Sequence, residues 1–217
     1  MPSMGAEMLA MALAVLGWIC AFVSCVLPMW KVTAYVGMKT FTTETTWEGI
    51  WMTCLYQSMG YIRCHGSYST LALSYSQQAA RILTVASILM GALGLLTASV
   101  GAKCTRCVAE EAAKARVMAA AGWTFVLAAL AQIIPVSLYA HSIIVHFNDP
   151  GVPKESKWDL GAALYLGWAA GAFLLFGGVI LCLSCSKPAK ERLNPPSVAM
   201  YAQNRPTSPS SYKKDFV

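Results

Sequence analysis

Trp47-Glu48-Gly49-Ile50-Trp51-Met52-Thr53-Cys54-Leu55-Tyr56-Gln57-Ser58-Met59-Gly60-Tyr61-Ile62-Arg63-Cys64, preceded at a distance by Trp30, is the stretch that decides how this chain folds. Two cysteines ten residues apart flank a turn-like Gln57-Ser58-Met59-Gly60 segment, and in an oxidising compartment that spacing closes a β-hairpin covalently. On the reducing side of a membrane the same thiols would do nothing of the kind, so the compartment has to be argued from the rest of the chain.

Working outward, the segment lies between two membrane-length apolar stretches. Hydrophobic residues make up 57% of the sequence and charged ones only 12%, with a mean hydropathy of +0.53, which excludes an ordinary soluble domain and a disordered chain alike. Four stretches have about the 20 residues a helix needs to cross the hydrocarbon core. The reading places them at residues 8–27, 82–101, 117–138 and 160–183, none with Lys, Arg, Asp or Glu in its middle. The first lacks a basic leader and starts with the acidic Glu7, so it reads as a retained span and not as a cleaved signal.

Orientation follows from the basic residues, which accumulate on the cytosolic flanks of spans. Ten of the sixteen lie in residues 102–116 or in the tail 184–217: Lys103, Arg106, Lys114, Arg116, Lys187, Lys190, Arg192, Arg205, Lys213 and Lys214. Residues 1–7 and the tail are then cytosolic, and 28–81 and 139–159 are the outer segments. Most of the net charge of +6 is accordingly topological. No basic patch with interleaved aromatics points to nucleic acid.

In the first outer segment, residues 30–35, 40–47, 51–56 and 61–64 are rich in β-branched and aromatic residues, with Gly37 as a turn. They predict a three- or four-stranded antiparallel sheet, since a lone hairpin is marginal in water. The Cys54–Cys64 bridge would contribute about 2–3 kcal/mol by loop-closure entropy. Residues 69–81 predict a short helix leading into the second span. The expected fold class is therefore an α+β membrane protein, a four-helix bundle carrying an outer antiparallel sheet.

Trp30, Gly49, Ile50, Trp51, Cys54 and Cys64, at these spacings in this loop of a four-span chain, resemble the W-GLW-C-C signature of the claudins. Ala14-Val15-Leu16-Gly17-Trp18, Gln78-Ala79-Ala80-Arg81, Ile134-Pro135-Val136-Ser137 and Leu160-Gly161-Ala162-Ala163-Leu164-Tyr165 extend the resemblance over nearly the whole chain. Taken alone, Trp30, Trp47 and Trp51 also suit an aromatic belt at the headgroups. Ile50 stands where the family usually has Leu, a swap of equal volume. The resemblance implies a tight-junction strand protein that polymerises with itself and other claudins in one membrane, pairs across two cells, and sets which ions pass between them. The wider signature is shared with tetraspan accessory subunits that modulate a channel or receptor, the alternative reading.

Under the resemblance Trp30, Gly49, Ile50 and Trp51 anchor the sheet against the bundle and the outer leaflet. His65 falls where family members place a charge that biases passage, and Leu55 is its uncharged counterpart after the first cysteine. Lys31, Lys39, Arg63 and a protonatable His65, opposed by Glu48 and Glu44, suggest a cation-restricting barrier and not a cation pore, with a pH-sensitive component from the imidazole. Tyr68 and the tip Phe147, Asn148, Asp149 and Pro150 are the expected oligomer and cell–cell contacts. The family usually has adjacent aromatics at this tip, so Phe147-Asn148 implies weaker or differently selective adhesion, and Asp149 argues against clostridial enterotoxin binding.

Pro135 is expected to bend the third span, and Gln132 to make a hydrogen bond between helices. Cys104 and Cys107, and Cys182 and Cys185, form two C-x-x-C pairs more than seventy residues apart at the inner leaflet, which suits palmitoylation better than zinc. His65, His141 and His146 show no ligand spacing, so no metal or other cofactor is expected. No nucleophile, base and orienter assemble into a catalytic set, so no enzyme is expected either. The Pro-rich tail ends in Asp215-Phe216-Val217, whose free carboxylate and small apolar terminus suit a PDZ groove of a junctional scaffold.

Overall fold

Uncharged runs in lipid become helices because the backbone has no partner there except itself. Four form, α1 Met4–Val26, α2 Tyr75–Gly101, α3 Glu111–Asn148 and α4 Ala162–Glu191, and each contains a window long and apolar enough to cross a membrane. The computed structural model describes residues 4–33, 45–57, 60–66, 74–101, 111–153 and 157–191. Lys39, Tyr68, Cys104, Cys107, Asp215, Phe216 and Val217 lie outside the described residues.

The bundle is packed through small residues, as helices in lipid must be. A Cβ on Gly122 of α3 would sit 2.9 Å from the Gly178 carbonyl of α4, and one on Gly178 would sit 2.8 Å from the Gly122 carbonyl, so those two backbones touch. Gly17 likewise brings α1 against Ala170 and Leu174 of α4. Ala10, Ala14, Ala98, Phe125, Ala128, Leu174 and Leu181 fill one end of the core. Phe22, Leu89, Trp123 and Phe176 are all more than half exposed on the outer surfaces of the four helices, a distribution suited to lipid and not to water.

At the other end a second core joins bundle to sheet through Trp30, Ile50, Ala80, Val136, Tyr139, Ile143, Ala163 and Leu164. Among the described residues the sheet has five antiparallel strands in the order β4-β3-β2-β1-β5, with β1 Lys31–Thr33, β2 Thr45–Glu48, β3 Met52–Tyr56, β4 Ile62–Gly66 and β5 Trp158–Leu160. The fifth strand departs from the expectation of three or four drawn from the first outer segment alone. Three residues are too few for an alternation to show, and β5 exists only because β1 presents an edge to it, pairing Lys31 with Leu160, Val32 with Asp159 and Thr33 with Trp158.

Two helices also outrun the spans expected of them. α2 begins at Tyr75 and continues without a break, so the short lead-in helix is its first turns and not a separate element. α3 runs 38 residues and continues past the buried Pro135. At 1.5 Å per residue it is about 57 Å long, well beyond the ~30 Å hydrocarbon core.

Candidate functional site

The sheet is seated by backbone contacts that tolerate almost no side chain. A Cβ on Gly49 would lie 2.6 Å from Pro28 Cα, and one on Gly161 would lie 1.9 Å from the Met29 carbonyl oxygen. Through that close approach Gly161 N donates to Trp30 O at 3.0 Å and Ala163 N donates to Met29 O at 3.0 Å, so the start of α4 finds acceptors in the segment between α1 and β1.

Around this seam the four signature residues take separate roles. The Trp30 ring is fully buried, donates from Nε1 to Ser24 O at 2.8 Å and packs edge-to-face on Tyr139 at 5.3 Å. Ile50 is buried, and its carbonyl accepts a 2.6 Å hydrogen bond from Arg81 Nε. Each of these large side chains contributes about 2–3 kcal/mol by leaving water. Trp51 is 40% exposed, lies under the Arg81 guanidinium at 5.0 Å and donates from Nε1 to Cys25 Sγ at 3.3 Å. Arg81 thus ties the signature loop to α2.

Cys54 on β3 and Cys64 on β4 stand directly opposite one another and are joined as a disulfide. Alternation along the paired strands then sorts the remaining side chains. One face carries the row Lys31, Glu48, Thr53, His65 and beside it the row Thr46, Leu55, Arg63; the other carries Trp47 stacked on Tyr56 at 6.3 Å together with the disulfide. His65, Leu55, Arg63, Lys31 and Glu48, singled out from sequence for charge, therefore share a face.

They do not share a condition. Lys31 Nζ is 2.9 Å from Glu48 Oε2 and lies over the Trp158 ring at 4.6 Å, while the other Glu48 oxygen accepts from Gln77 Nε2. This partly buried cluster draws on β1, β2, β5 and α2, and its two charges cancel. Lys31 and Glu48, expected to bear on ion selectivity, therefore face each other as an ion pair at the seam. Arg63 and His65 stand on β4, where every residue is exposed, and neither enters an ion pair among the described residues.

The second outer segment builds a tip at the end of α3. Phe147 and Asn148 finish the helix, Asp149 Oδ1 accepts from Gly151 N at 2.9 Å, and Pro150 lies inside that turn. Lys157 Nζ donates to Phe147 O at 2.6 Å and lies 5.2 Å over the Phe147 ring, so it caps the helix and holds its aromatic at once.

Cys182 stands beside α3, its Sγ 3.9 Å from Ala119 O and 2.6 Å from where a Cβ on Gly122 would stand. One expectation is corrected. Gln132 makes no hydrogen bond to a neighbouring helix; both polar atoms of its side chain are buried without a partner among the described residues. Sequence reading missed Gln77, Lys157 and Trp158 as site residues and took Gly161 only for bundle packing. The partners of Gln77, Trp158 and Gly161 are distant in sequence, whereas that of Lys157 is ten residues away across a turn that only the Asp-Pro pair signals.

No group of three or more His, Cys, Asp or Glu that could hold a metal occurs among the described residues. The described residues present charged side chains on one face of the sheet and an aromatic at the end of α3.

Compared with known proteins, residues 4–181 match the PMP-22/EMP/MP20/Claudin family. The chain is 48% identical to Claudin-3 of Mus musculus, covering 99% of this chain and 100% of that protein. It is 46% identical to Claudin-4 of Homo sapiens, covering 98% of this chain and 100% of that protein. The disulfide-closed sheet, the four apolar helices and a match along nearly the entire length agree, and the chain belongs to the PMP-22/EMP/MP20/Claudin family, as one of its claudins.

Proposed function

We propose that this claudin is a tight-junction strand protein of the plasma membrane that restricts cations on the route between cells. It polymerises in one membrane, with itself and other claudins, and pairs with the neighbouring cell through the tip at Phe147, Asn148, Asp149 and Pro150. Family membership makes it a structural membrane protein and not an enzyme. The excess of Lys and Arg in residues 102–116 and 184–217 supports cytosolic termini and an outer sheet.

The observation that carries the barrier reading is the cancellation of Lys31 by Glu48, which leaves Arg63 and the protonatable His65, on the exposed strand β4, as the basic groups of that face, with the acidic Asp159 on the opposite one. In a narrow passage, basic groups in this position repel cations. The tail end Asp215-Phe216-Val217 suits a PDZ scaffold, and Cys104, Cys107, Cys182 and Cys185 are the cysteines assigned to palmitoylation.

The test is transepithelial resistance together with the sodium chloride dilution potential, in an epithelial layer poor in claudins that expresses this chain. Higher resistance and lowered sodium preference are expected, and Arg63→Glu should move the sodium-to-chloride ratio upward. Lower resistance with a sodium preference overturns the barrier reading. Protein that reaches the surface, stays diffuse at contacts and changes neither quantity points to an accessory subunit instead.

A further inference from the structure

Gln132 on α3 and Thr84 on α2 are both fully buried, and neither the Gln132 carboxamide nor the Thr84 hydroxyl has a hydrogen-bond partner among the described residues. In hydrocarbon an orphaned polar group has no water to fall back on. The two residues stand level with each other. Ser87 Oγ of α2 donates to Ala128 O of α3 at 2.7 Å, α2 leaves the sheet end and α3 returns to it, and Thr84 and Gln132 each lie one turn from that contact toward the sheet.

The other two helices complete the layer. A Cβ on Gly167 of α4 would lie 3.4 Å from Gln132 Nε2 and 3.1 Å from Ser24 Oγ of α1, so polar groups of α1 and α3 share the space that a glycine leaves open. Ser24 Oγ donates its proton to Ala163 O at 2.7 Å and keeps its lone pairs as acceptors. Pro135 has no N–H, so the Ala131 carbonyl, next in the chain to Gln132, lacks its helical donor. Donors and acceptors are thus both present, and none of these groups is charged.

We infer that this layer is a binding site for ordered water. One or two molecules bridge the Gln132 carboxamide to the Thr84 hydroxyl, the Ser24 lone pairs and the carbonyl freed by Pro135. A buried water needs two to four such partners, and a proline in a membrane helix is commonly tolerated because water or a neighbouring side chain satisfies the carbonyl it frees. An ion does not suit a layer with no opposing charge, whereas a neutral ligand that both donates and accepts does. The inference does not depend on the junction reading.

The deciding experiment is a crystal structure of the full chain in a lipidic phase, at a resolution that shows water. Density within about 3.2 Å of the Gln132 carboxamide and of at least one other group in the layer is expected. A direct Gln132–Thr84 contact with nothing between, or a dry layer, overturns the inference. Thermal unfolding in detergent gives an independent sign. Gln132→Leu should lower the midpoint by about 2–6 °C because it strips the water of partners, and the shape-matched Thr84→Val should lower it as well. If the layer were dry, removing an orphaned group would raise the midpoint, and a rise in either variant sinks the proposal.

Discussion

Glycine at position 161 is required by space and not by backbone conformation: a methyl group there would meet the Met29 carbonyl at 1.9 Å, and relief would tear two hydrogen bonds that seat α4 on the segment between α1 and β1. Gly161→Ala should cost about 3 kcal/mol or more, as overpacking against backbone does. Gly60 is the opposite case, open on all sides but at φ 82°, so Gly60→Ala should cost only about 1 kcal/mol of conformational strain. Thermal unfolding of the two purified variants checks the order, and equal losses would show that the seam yields more than its geometry implies. Lys31 and Glu48 make a different demand on the residue scale. Because they neutralise each other across 2.9 Å, the double change Lys31→Gln with Glu48→Gln should leave the dilution potential unaltered while loosening the seam. A shift in ion preference as large as that of Arg63→Glu would return both residues to the passage.

Among the elements, β4 depends most on its covalent tie. Among the described residues it is an edge strand, exposed along its length and paired with β3, so Cys54→Ser with Cys64→Ser should cost about 2–3 kcal/mol and raise hydrogen exchange in β4 ahead of the helices. Uniform protection across sheet and bundle in that variant would contradict the local role given to the bridge. The hairpin and its cysteines were legible because everything that builds them lies within ten residues: turn, alternation and thiol spacing. The four helices were legible for a related reason, since lipid sets a minimum apolar length for every span, although it says nothing of how far α2 and α3 continue beyond it. β5 was not, for Trp158–Leu160 carries no pattern of its own and is a strand only because Lys31–Thr33 lies beside it. The same distance hid the charge cluster. Composition placed Lys31 and Glu48 among the selectivity candidates, whereas their pairing depends on a β1–β2 register that no local signal announces.

For the whole molecule, the pairing between cells proposed above turns on the reach of α3. The helix is about 57 Å long against a hydrocarbon core of ~30 Å, so its sheet-side end carries Phe147 and the turn after it clear of the bundle. A tip on so long a lever needs an anchor at its base, and Lys157 supplies one from the far side of the turn by bonding the Phe147 carbonyl and covering its ring. Adhesion should therefore depend on a residue that need not touch the opposing cell at all. Lys157→Ala removes a charged cap and a cation–π contact worth together about 1 kcal/mol at this partly exposed position, and frees the tip to sample orientations unfit for pairing. With expression at the surface matched to the parent, enrichment at contacts between two expressing cells should fall by roughly five-fold, the factor that 1 kcal/mol implies. Association within a single membrane should be unaffected, since the helix faces that pack the bundle are elsewhere. Phe147→Ala, which deletes the contact surface itself, should fall at least as far. If Lys157→Ala gathers at contacts as strongly as the parent while Phe147→Ala does not, the tip is rigid without its cap and the anchoring role belongs to the turn held by Asp149.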